Sequence, residues 1–412
     1  MTRFSLKLFS GLPKSIYILL IAQTIGGFGN FVTPYLSLYL NTSSSINKEL
    51  IGIFISVSTV SFIPGALIGG KLSDHYSKKM VLIVSRFLSS ICLISVLFTG
   101  NFLFKLILIS MFTLFSAIAS PSNDSLIADL TPGEQRKQAY SLIYLGYNLG
   151  GAIGPMVAGY AFRSYPDIIF IGEAATILIS VILIMLKVKE PKREAAELAI
   201  EQDKSFTAKS TISSLLKQPV LVAYMILAAC YTFSYAQNYF CLPLFMDSIF
   251  SENSAYYFGI LMMVNSICII CFTTIITKIT VKFSPVLNMF ITGVFYTVGF
   301  GMHFLINNFY LFIAAAVFWT LGEILFNTNF TVFVVEKSPF AFRARMISAA
   351  GIITKSAVII NPLIMGRIMQ NGGTRIVWLI VFFIMCTAST GMFYLYSLES
   401  KAGMIYEQAG AK

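Results

Sequence analysis

DLTPGEQR, residues 129–136, has a counterpart in EKSPFAFR, residues 336–343, at an offset of 207 residues. Each stretch has an acid, a proline three positions later and an arginine four positions after the proline. The same offset relates Gly52 to Gly259, Lys71 to Lys278, Ser77 to Ser284, Ser141 to Ser348, Pro155 to Pro362 and Gly159 to Gly366. A repeat without slippage over about a hundred residues predicts two copies of one packed unit.

The composition indicates that this unit lies in a membrane. Hydrophobic residues make up 57% of the 412-residue chain and charged residues only 11%, and the mean hydropathy is +0.79. The core of a water-soluble domain does not hold this share of apolar side chains. The composition therefore excludes a soluble protein and predicts an all-α integral membrane protein.

Twelve apolar runs are long enough to cross about 30 Å of hydrocarbon, which takes roughly 20 helical residues. Six of them fall in each half, so each copy of the repeat contributes six predicted spans. The first half has them at 16–40, 51–70, 80–99, 102–127, 138–162 and 168–187, and the second at 219–246, 256–277, 286–306, 308–335, 344–368 and 376–397.

Basic residues set the predicted orientation. With the N-terminus inside, most of the 29 Lys and Arg residues fall in cytoplasmic segments, the outer connections hold few, and Lys355 falls within a span. Since cytoplasmic loops carry the excess of Lys and Arg, both termini are expected in the cytoplasm. The net charge of +11 is then a sign of topology and not of nucleic-acid binding.

The hydrophobic pattern predicts three parts. These are an N-terminal six-helix bundle, residues 1–187, a cytoplasmic linker, residues 188–217, and a C-terminal six-helix bundle, residues 218–412. The linker is charged, rich in helix-forming residues and flanked by prolines, as expected of a connector with a surface helix. A regulatory role for the linker is the alternative.

The sequence indicates neither catalysis nor a metal or cofactor site. All six cysteines fall in predicted spans, and the Cys268-x-x-Cys271 pair has no second pair or histidine near it, so apolar packing explains them better than a metal site. The G-x-x-x-x-G-K-[ST] nucleotide loop does not occur. An ion gradient is therefore the expected energy source, and an enzyme is not expected.

The loop between the second and third predicted spans reads GKLSDHYSKK, residues 70–79. It resembles the signature G-x-L-x-D-R-x-G-R-K of the major facilitator superfamily, with Gly70, Asp74, Lys78 and Lys79 at matching positions. The resemblance implies the major facilitator fold, in which twelve transmembrane helices form two pseudo-symmetric six-helix bundles. It also implies that Asp74 latches the two halves on the cytoplasmic side, at the start of span eleven, with Arg136 as an ionic partner.

The fifth predicted span carries Gly150-x-x-x-Gly154-Pro155-x-x-Ala158-Gly159. Small residues at this spacing permit close helix packing, and the proline bends the helix. The pattern is similar to the span-five motif of drug and proton antiporters within the superfamily, which implies an exporter. Generic close packing is the alternative explanation.

Glu323 and Lys355 are the ionisable residues that lie deepest inside the predicted spans, where such residues are costly unless they are paired or functional. Residues 319–324 resemble the membrane-embedded glutamate segment of multidrug and proton antiporters, and Asp129 is similar to the acid at the end of their fourth span. The resemblance implies proton coupling through Glu323, Lys355 and Asp129. A fixed ion pair between Glu323 and Lys355 is the alternative.

The two halves are expected to differ in charge. At the 207-residue offset, Ser116 corresponds to Glu323, and Asn148 corresponds to Lys355. The chemistry is therefore predicted to be confined to the second half, on a frame that both halves share.

Polar and aromatic side chains on shared helix faces form the predicted substrate site. They offer apolar area, cation–π attraction and a charge, which suits an amphipathic or cationic organic molecule. The predicted substrate-binding residues are Gln23, Asn30, Tyr144, Asn148, Tyr235, Gln237, Trp319, Glu323 and Asn327. Two further ionisable residues are expected outside any such site, Glu173 at the membrane surface and His303 at the outer interface.

These patterns predict a multi-pass secondary transporter of a plasma or bacterial inner membrane that exports small organic molecules in exchange for protons. It is expected to work as a monomer without a cofactor, and its expected partners are a small organic substrate, protons and the lipid bilayer. Within transport, the alternatives are proton-coupled uptake of a nutrient or peptide, and lipid flipping. The alternative from another class is a membrane receptor or scaffold that keeps the carrier fold without turnover.

Overall fold

A computed structural model describes residues 11–43, 46–131, 133–189, 215, 218–338 and 343–410. Most of the predicted linker, 188–217, therefore lies outside the described residues, as do Pro132 and Pro339 of the two repeated stretches. In the part that the structure describes, regular secondary structure is helical and no strand occurs, which confirms the all-α prediction.

The described part of the first half folds into helices α1 to α8. Their bounds are α1 (Lys14–Phe28), α2 (Val32–Ser43), α3 (Lys48–Val60), α4 (Phe62–His75), α5 (Lys78–Val96), α6 (Phe102–Leu130), α7 (Gly133–Phe162) and α8 (Ile168–Lys187).

The described part of the second half folds into helices α9 to α15. Their bounds are α9 (Pro219–Tyr235), α10 (Cys241–Phe250), α11 (Ser254–Thr280), α12 (Pro285–Met302), α13 (Phe309–Lys337), α14 (Arg343–Gly372) and α15 (Thr374–Gly410), with short 3₁₀ turns at Ala236–Asn238 and Ser251–Asn253.

These helices are long and apolar enough for a membrane protein. Ten helical stretches of described residues meet the length and hydropathy needed to cross a bilayer. One of them, Pro219–Thr280, is 62 residues long and contains the seventh and eighth predicted spans. The fifth predicted span forms α7, a helix of 30 residues, which at about 1.5 Å per residue is also long enough to cross.

The helix bounds repeat at the offset found in the sequence. Helices α6 and α13 are both 29 residues long and begin 207 residues apart, at Phe102 and Phe309. Helices α1 and α9 end at Phe28 and Tyr235, at the same offset. The structure therefore confirms that the two halves are copies of one unit.

Span one is broken inside the bundle. Helix α1 ends at Phe28 and α2 starts at Val32, so the first N–H groups of α2 have no partner within their own helix. The Glu173 carboxylate of α8 supplies one, since its Oε2 accepts hydrogen bonds from the Phe31 N–H at 3.1 Å and the Val32 N–H at 2.7 Å. Glu173 is 8% exposed, so its expected place at the membrane surface is wrong. The Glu173 side chain points inward, where its carboxylate accepts hydrogen bonds from N–H groups at the break in span one.

The chain divides into two compact units. Unit 1 comprises Met1–Arg193 and Tyr239–Ile270, and unit 2 comprises Glu194–Asn238 and Cys271–Lys412. The predicted domain boundaries at residues 187 and 217 stay a prediction.

Residues 239–270 belong to unit 1 because they bond to its helices. The Tyr35 hydroxyl donates to the Pro155 carbonyl at 2.6 Å and lies 3.2 Å from the Ala255 carbonyl. The Asn41 amide donates to the Asp247 carboxylate at 3.0 Å. These bonds attach α10 and the first part of α11 to α2 and α7.

Glycines let α7 touch α1 backbone to backbone. A methyl group added at Gly150 would lie 2.0 Å from the Thr24 carbonyl oxygen, and one at Gly154 would lie 1.8 Å from the Phe28 carbonyl oxygen. Both distances are far inside van der Waals contact, so any larger side chain would push the two helices apart.

The last glycine of the α7 motif, Gly159, faces α11 within unit 1, where Gly259 lies opposite α7. A methyl group at Gly159 would lie 2.3 Å from the Ala255 carbonyl oxygen, and one at Gly259 would lie 2.6 Å from the Pro155 carbonyl oxygen. One face of α7 therefore packs on α1, and its C-terminal part packs on α11.

Replacing Gly154 by alanine should destabilise the protein, because the new methyl group overlaps the backbone of α1. We expect a loss of about 1–3 kcal/mol, the usual cost of overpacking, seen as a lower melting temperature in detergent. Gly151→Ala is the matched control, since its methyl group would meet only the Ser266 hydroxyl at 3.5 Å. Equal melting temperatures for the two variants would contradict the close contact of α1 and α7.

Replacing Glu173 by alanine should also destabilise the protein, by about 1–3 kcal/mol, because the Val32 N–H loses its acceptor and the Phe31 N–H keeps only its bond to the Gly29 carbonyl. Glu173→Gln keeps a carbonyl oxygen that can accept from the same groups. Its melting temperature should therefore lie between those of the wild type and the alanine variant, because a neutral acceptor forms weaker hydrogen bonds than a charged one. A glutamine variant as unstable as the alanine variant would show that the charge and not the acceptor is required for folding.

Candidate functional site

The described residues of unit 1 line a cavity of about 140 Å³ among α1, α5, α6, α7 and α8. Apolar side chains such as Leu19, Leu82 and Ile177 form part of its wall. The polar lining residues are Gln23, Asn30, Arg86, Asn123, Tyr147, Glu173 and Ser180. Two opposite charges, Arg86 and Glu173, therefore face one internal space.

Arg86 lies deep in α5. It stands about 12 Å from the start of the helix at Lys78, at about 1.5 Å per residue. The stretch around it, MVLIVSRFLSSICLISV, residues 80–96, has no other charge and is apolar apart from four serines. The start of α5 is fixed beside the end of α8, because Lys79 Nζ donates to the carbonyls of Met185 and Val188 at 2.9 and 2.6 Å. Arg86 is therefore inside the bundle and not at its charged edge.

Glu173 lies at a different depth from Arg86. It stands about 21 Å from the end of α8 at Lys187, against about 12 Å for Arg86 from the neighbouring end of α5. The two charges are close enough to attract each other. They do not come within 4.0 Å, however, and form no ion pair in the described part of the chain.

The hydrogen bonds of the two charged groups also differ. Glu173 is held by the backbone of α2, with both of its hydrogen bonds on Oε2. The Arg86 guanidinium makes no hydrogen bond to any described residue. Near them, the Asn30 amide donates to the Tyr147 hydroxyl at 3.1 Å, which joins α1 to α7 across the cavity wall.

This arrangement combines a proton site with a fixed positive charge. A carboxyl group can gain and lose a proton, whereas a guanidinium stays charged and presents five N–H donors. The cavity can therefore exist with both charges present or with the positive charge alone.

Of the substrate-binding residues predicted in the first half, the structure places two in this cavity. Gln23 and Asn30 both line it. Asn148 is buried and donates to the Tyr144 carbonyl at 2.9 Å, while the Tyr144 side chain is exposed. The residue of α7 that reaches the cavity is Tyr147.

The substrate-binding residues predicted in the second half all belong to unit 2. Trp319 is fully buried, and its ring centroid lies 6.1 Å from that of Tyr235. Gln237 is also fully buried, and neither atom of its amide has a hydrogen-bond partner among the described residues. Glu323 is partly buried, and Asn327 is exposed.

The remaining predicted residues lie at helix ends or on neighbouring helices. Asp129 forms an ion pair with Lys78 at 2.5 Å, which links the end of α6 to the start of α5. Arg136 donates to the Ala128 carbonyl at 3.3 Å. Asp74 is exposed near the end of α4, and the space around Gly70 is open. Lys355 is exposed on α14, which packs on α13, the helix of Glu323.

The structure corrects the expectation that interior charge is confined to the second half. Arg86 and Glu173 form a charged cavity in the first half, and the residues at the 207-residue offset are Gly293 and Ile380. The signal for Arg86 was present in the sequence, as a cation well inside an apolar run.

His303 is also buried. It is fully buried in unit 2, where its ring stacks on Trp378 with centroids 4.5 Å apart. His303 follows α12 directly and turns inward onto aromatic rings, and its depth at the outer interface stays a prediction.

Three curated proteins are similar to this chain over much of its length. YhjO of Bacillus subtilis (strain 168), an MFS-type transporter, is 22% identical over 375 residues, which are 90% of each chain. A Na⁺, Li⁺, K⁺/H⁺ antiporter of Planococcus maritimus is 21% identical over 78% of this chain and 81% of its own. The class H tetracycline resistance protein of Pasteurella multocida is 24% identical over 50% of this chain and 52% of its own.

Solved structures share the fold. The crystal structure of the nucleoside transporter NupG superposes with a TM-score of 0.75 over 93% of this chain and 99% of that one, at 17% sequence identity.

The family model described as Major Facilitator Superfamily matches residues 19–362, more than half of the chain. Its members are transporters and not enzymes, so the predictions of a transporter fold and of a protein without enzymatic activity are confirmed. Its closer assignment to drug and proton antiporters stays a prediction. With its apolar helices, its repeat and this match, the chain belongs to the major facilitator superfamily and is a multi-pass membrane protein of the secondary transporter class.

Proposed function

We propose that this protein exports small organic molecules in exchange for protons, and that Glu173 is the residue that carries the proton. The observation behind this proposal is the position of Glu173, a buried carboxylate that lines the cavity of unit 1 and faces Arg86. A carboxyl group inside a membrane protein marks an ion or proton pathway more often than a structural contact.

The relatives support exchange and export as a hypothesis for this chain. One of them is named an antiporter that exchanges alkali cations for protons, and another is named a tetracycline resistance protein. Both matches are distant, so they bear on the kind of transport and not on the cargo.

The break in span one gives a way for the proton to act on the helices. The ionised Glu173 carboxylate accepts hydrogen bonds from Phe31 and Val32 at the start of α2. A charged acceptor forms stronger hydrogen bonds than a neutral one. Protonation would therefore weaken the cap on α2 and let this half of span one move, which would couple proton uptake to the change of access.

The energy available is sufficient for efflux. One proton moving inward through 100 mV yields about 2.3 kcal/mol, and a pH difference of one unit adds about 1.4 kcal/mol. Together they support an accumulation of several hundred-fold for a neutral cargo.

Replacing Glu173 by glutamine should abolish proton-driven transport, because the amide cannot take up a proton. In inverted vesicles with an acidic interior, the wild type should accumulate a fluorescent drug or dye, and Glu173→Gln should not. At a cargo concentration high enough to saturate it, the variant should still exchange internal for external cargo without a gradient, since exchange needs no net proton transfer. Gradient-driven accumulation equal to that of the wild type would refute the assignment of Glu173.

The same vesicles test the direction of transport and the residues predicted from sequence. Accumulation of cargo only under the opposite gradient would replace export by proton-coupled uptake. Glu323, Lys355 and Asp129 stay predicted coupling residues, and Glu323→Gln is the direct comparison. If our assignment is right, Glu323→Gln should keep a measurable response to the gradient that Glu173→Gln lacks.

Asp74 stays the proposed latch of the cytoplasmic side, with both termini on that side. Replacing Asp74 by asparagine should slow turnover several-fold by shifting the balance of access states, while cargo affinity changes little. Rates in the vesicle assay and binding to purified protein separate these effects. Glu49→Gln is the control, as Glu49 lies in the first turn of α3, away from this loop. A loss of affinity as large as the loss of rate would contradict the latch.

A further inference from the structure

We infer that the cavity of unit 1 binds an amphoteric molecule, with an anionic group of the ligand on Arg86 and a cationic group on Glu173. The claim that this ligand is the cargo rests on the proposed function. The claim that the cavity prefers a ligand with both charges rests on the cavity alone.

Arg86 supplies the first part of the argument. Its guanidinium faces the cavity and makes no hydrogen bond to any described residue. A cation in apolar surroundings is costly unless an anion or hydrogen-bond acceptors compensate it. Its planar set of donors matches a carboxylate or a similar oxyanion in two parallel hydrogen bonds. Arg86 is therefore placed to receive an anionic group.

Glu173 supplies the second part. An ionised carboxylate has about four acceptor sites, and the two backbone donors both occupy Oε2. The Oε1 atom therefore keeps its acceptor sites, and Glu173 lines the cavity. A cationic group such as an ammonium would add a charge-assisted hydrogen bond there.

The gap between the two charges is built into the fold. Glu173 is tied to the start of α2, and the depths of the two residues differ by about 9 Å along the bundle. They consequently attract each other without meeting within 4.0 Å. A ligand between them can satisfy both at once, whereas direct closure of the pair would break the cap on α2.

Charge balance selects between ligand classes. A ligand with a single positive charge would approach Glu173 but add to the charge of Arg86, and a ligand with a single negative charge would be repelled by Glu173. An amphoteric ligand places an opposite charge beside Arg86 and another beside Glu173, and it leaves the net charge of the cavity unchanged. In a low-dielectric site such differences are worth much more than in water.

The size of the cavity limits the ligand. An engineered protein cavity of about 150 Å³ takes up benzene, and this cavity measures about 140 Å³. It therefore fits a molecule, or the charged end of a molecule, about as large as a small amino acid.

The position of Glu173 in the cavity favours exchange of the ligand for a proton over transport of both in the same direction. A proton and the cationic group of the ligand compete for Glu173, so protonation favours release of the ligand. The other charged or titratable groups that face Glu173 are Arg86 on α5 and Tyr147 on α7. Arg86 keeps its charge throughout, which leaves Glu173 as the group that switches.

Two matched sets of small molecules test the inference on the purified full-length protein. The first set is L-leucine, 3-methylbutylamine and 4-methylpentanoate, and the second is 4-(aminomethyl)benzoate, benzylamine and benzoate. Within each set, the molecules share a frame and carry both charges, the positive charge only or the negative charge only. Binding is measured by thermal stabilisation and by calorimetry at neutral pH.

We expect at least one amphoteric molecule to bind at least about tenfold more tightly than its amine and its acid. Arg86→Gln and Glu173→Gln should each weaken that binding by at least about thirtyfold, the usual minimum for removing one partner of a buried charge pair. Arg86→Lys keeps the charge and should weaken it less than Arg86→Gln, which separates binding from misfolding.

Arg163→Gln and Glu252→Gln are the matched controls. These two residues form an exposed ion pair in the same unit, away from the cavity, so both variants should bind as the wild type does. Equal binding of the amine or the acid would overturn the inference, and so would a failure of both amphoteric molecules to bind.

This result is separable from the proposed function. If the amphoteric molecules bind as expected but no gradient drives export, the cavity is assigned correctly and the exporter proposal is wrong. If gradient-driven export of other compounds is found while the amphoteric molecules do not bind, the exporter proposal stands and the ligand class is wrong.

Discussion

A backbone N–H group inside a membrane has no water to bond with, so each one needs a partner from the protein. The break between Phe28 and Val32 creates such groups in the middle of span one. One oxygen of the Glu173 carboxylate accepts from the Val32 N–H and also from the Phe31 N–H, which bonds to the Gly29 carbonyl as well. That contact fixes the position of α8 against α1 and α2. It also keeps an ionisable group in the interior, so the same residue that stabilises the broken helix is available for proton chemistry.

The cavity depends equally on how closely α1 and α7 approach. Gly150 and Gly154 bring α7 onto the backbone of α1. On the other side, a methyl group at Gly27 would lie 2.1 Å from the Tyr147 carbonyl oxygen, so both helices contribute glycine to the contact. The close approach lets the Tyr147 hydroxyl reach Asn30. The pattern of small residues therefore positions polar side chains of the cavity, in addition to packing the helices.

Sequence alone predicted the parts of the fold that depend on composition and periodicity. The apolar runs placed the spans, and the 207-residue offset anticipated the equal bounds of α6 and α13. The site was harder to predict, because the direction of a side chain depends on the rotation of its helix in the bundle. Glu173 is near a helix end in sequence, yet α8 turns it towards the break in span one. Arg86 was missed because counting basic residues by loop assigns no depth to a cation within a run.

The two halves share helix breaks but differ in what lies beside them. Asn30 and Gln237 are 207 residues apart, and each lies where a helix has ended, Asn30 between α1 and α2 and Gln237 in the 3₁₀ turn after α9, so the frame places an amide at each. Arg86 has no counterpart, because the equivalent Gly293 lies against Tyr231 and Ser389, where even a methyl group would come within 2.2 Å of their hydroxyl oxygens. Ile380 replaces Glu173 and offers no acceptor. The contacts of Gly293 leave no room for an arginine and Ile380 carries no charge, so the charged pair of unit 1 has no counterpart at the equivalent positions of unit 2.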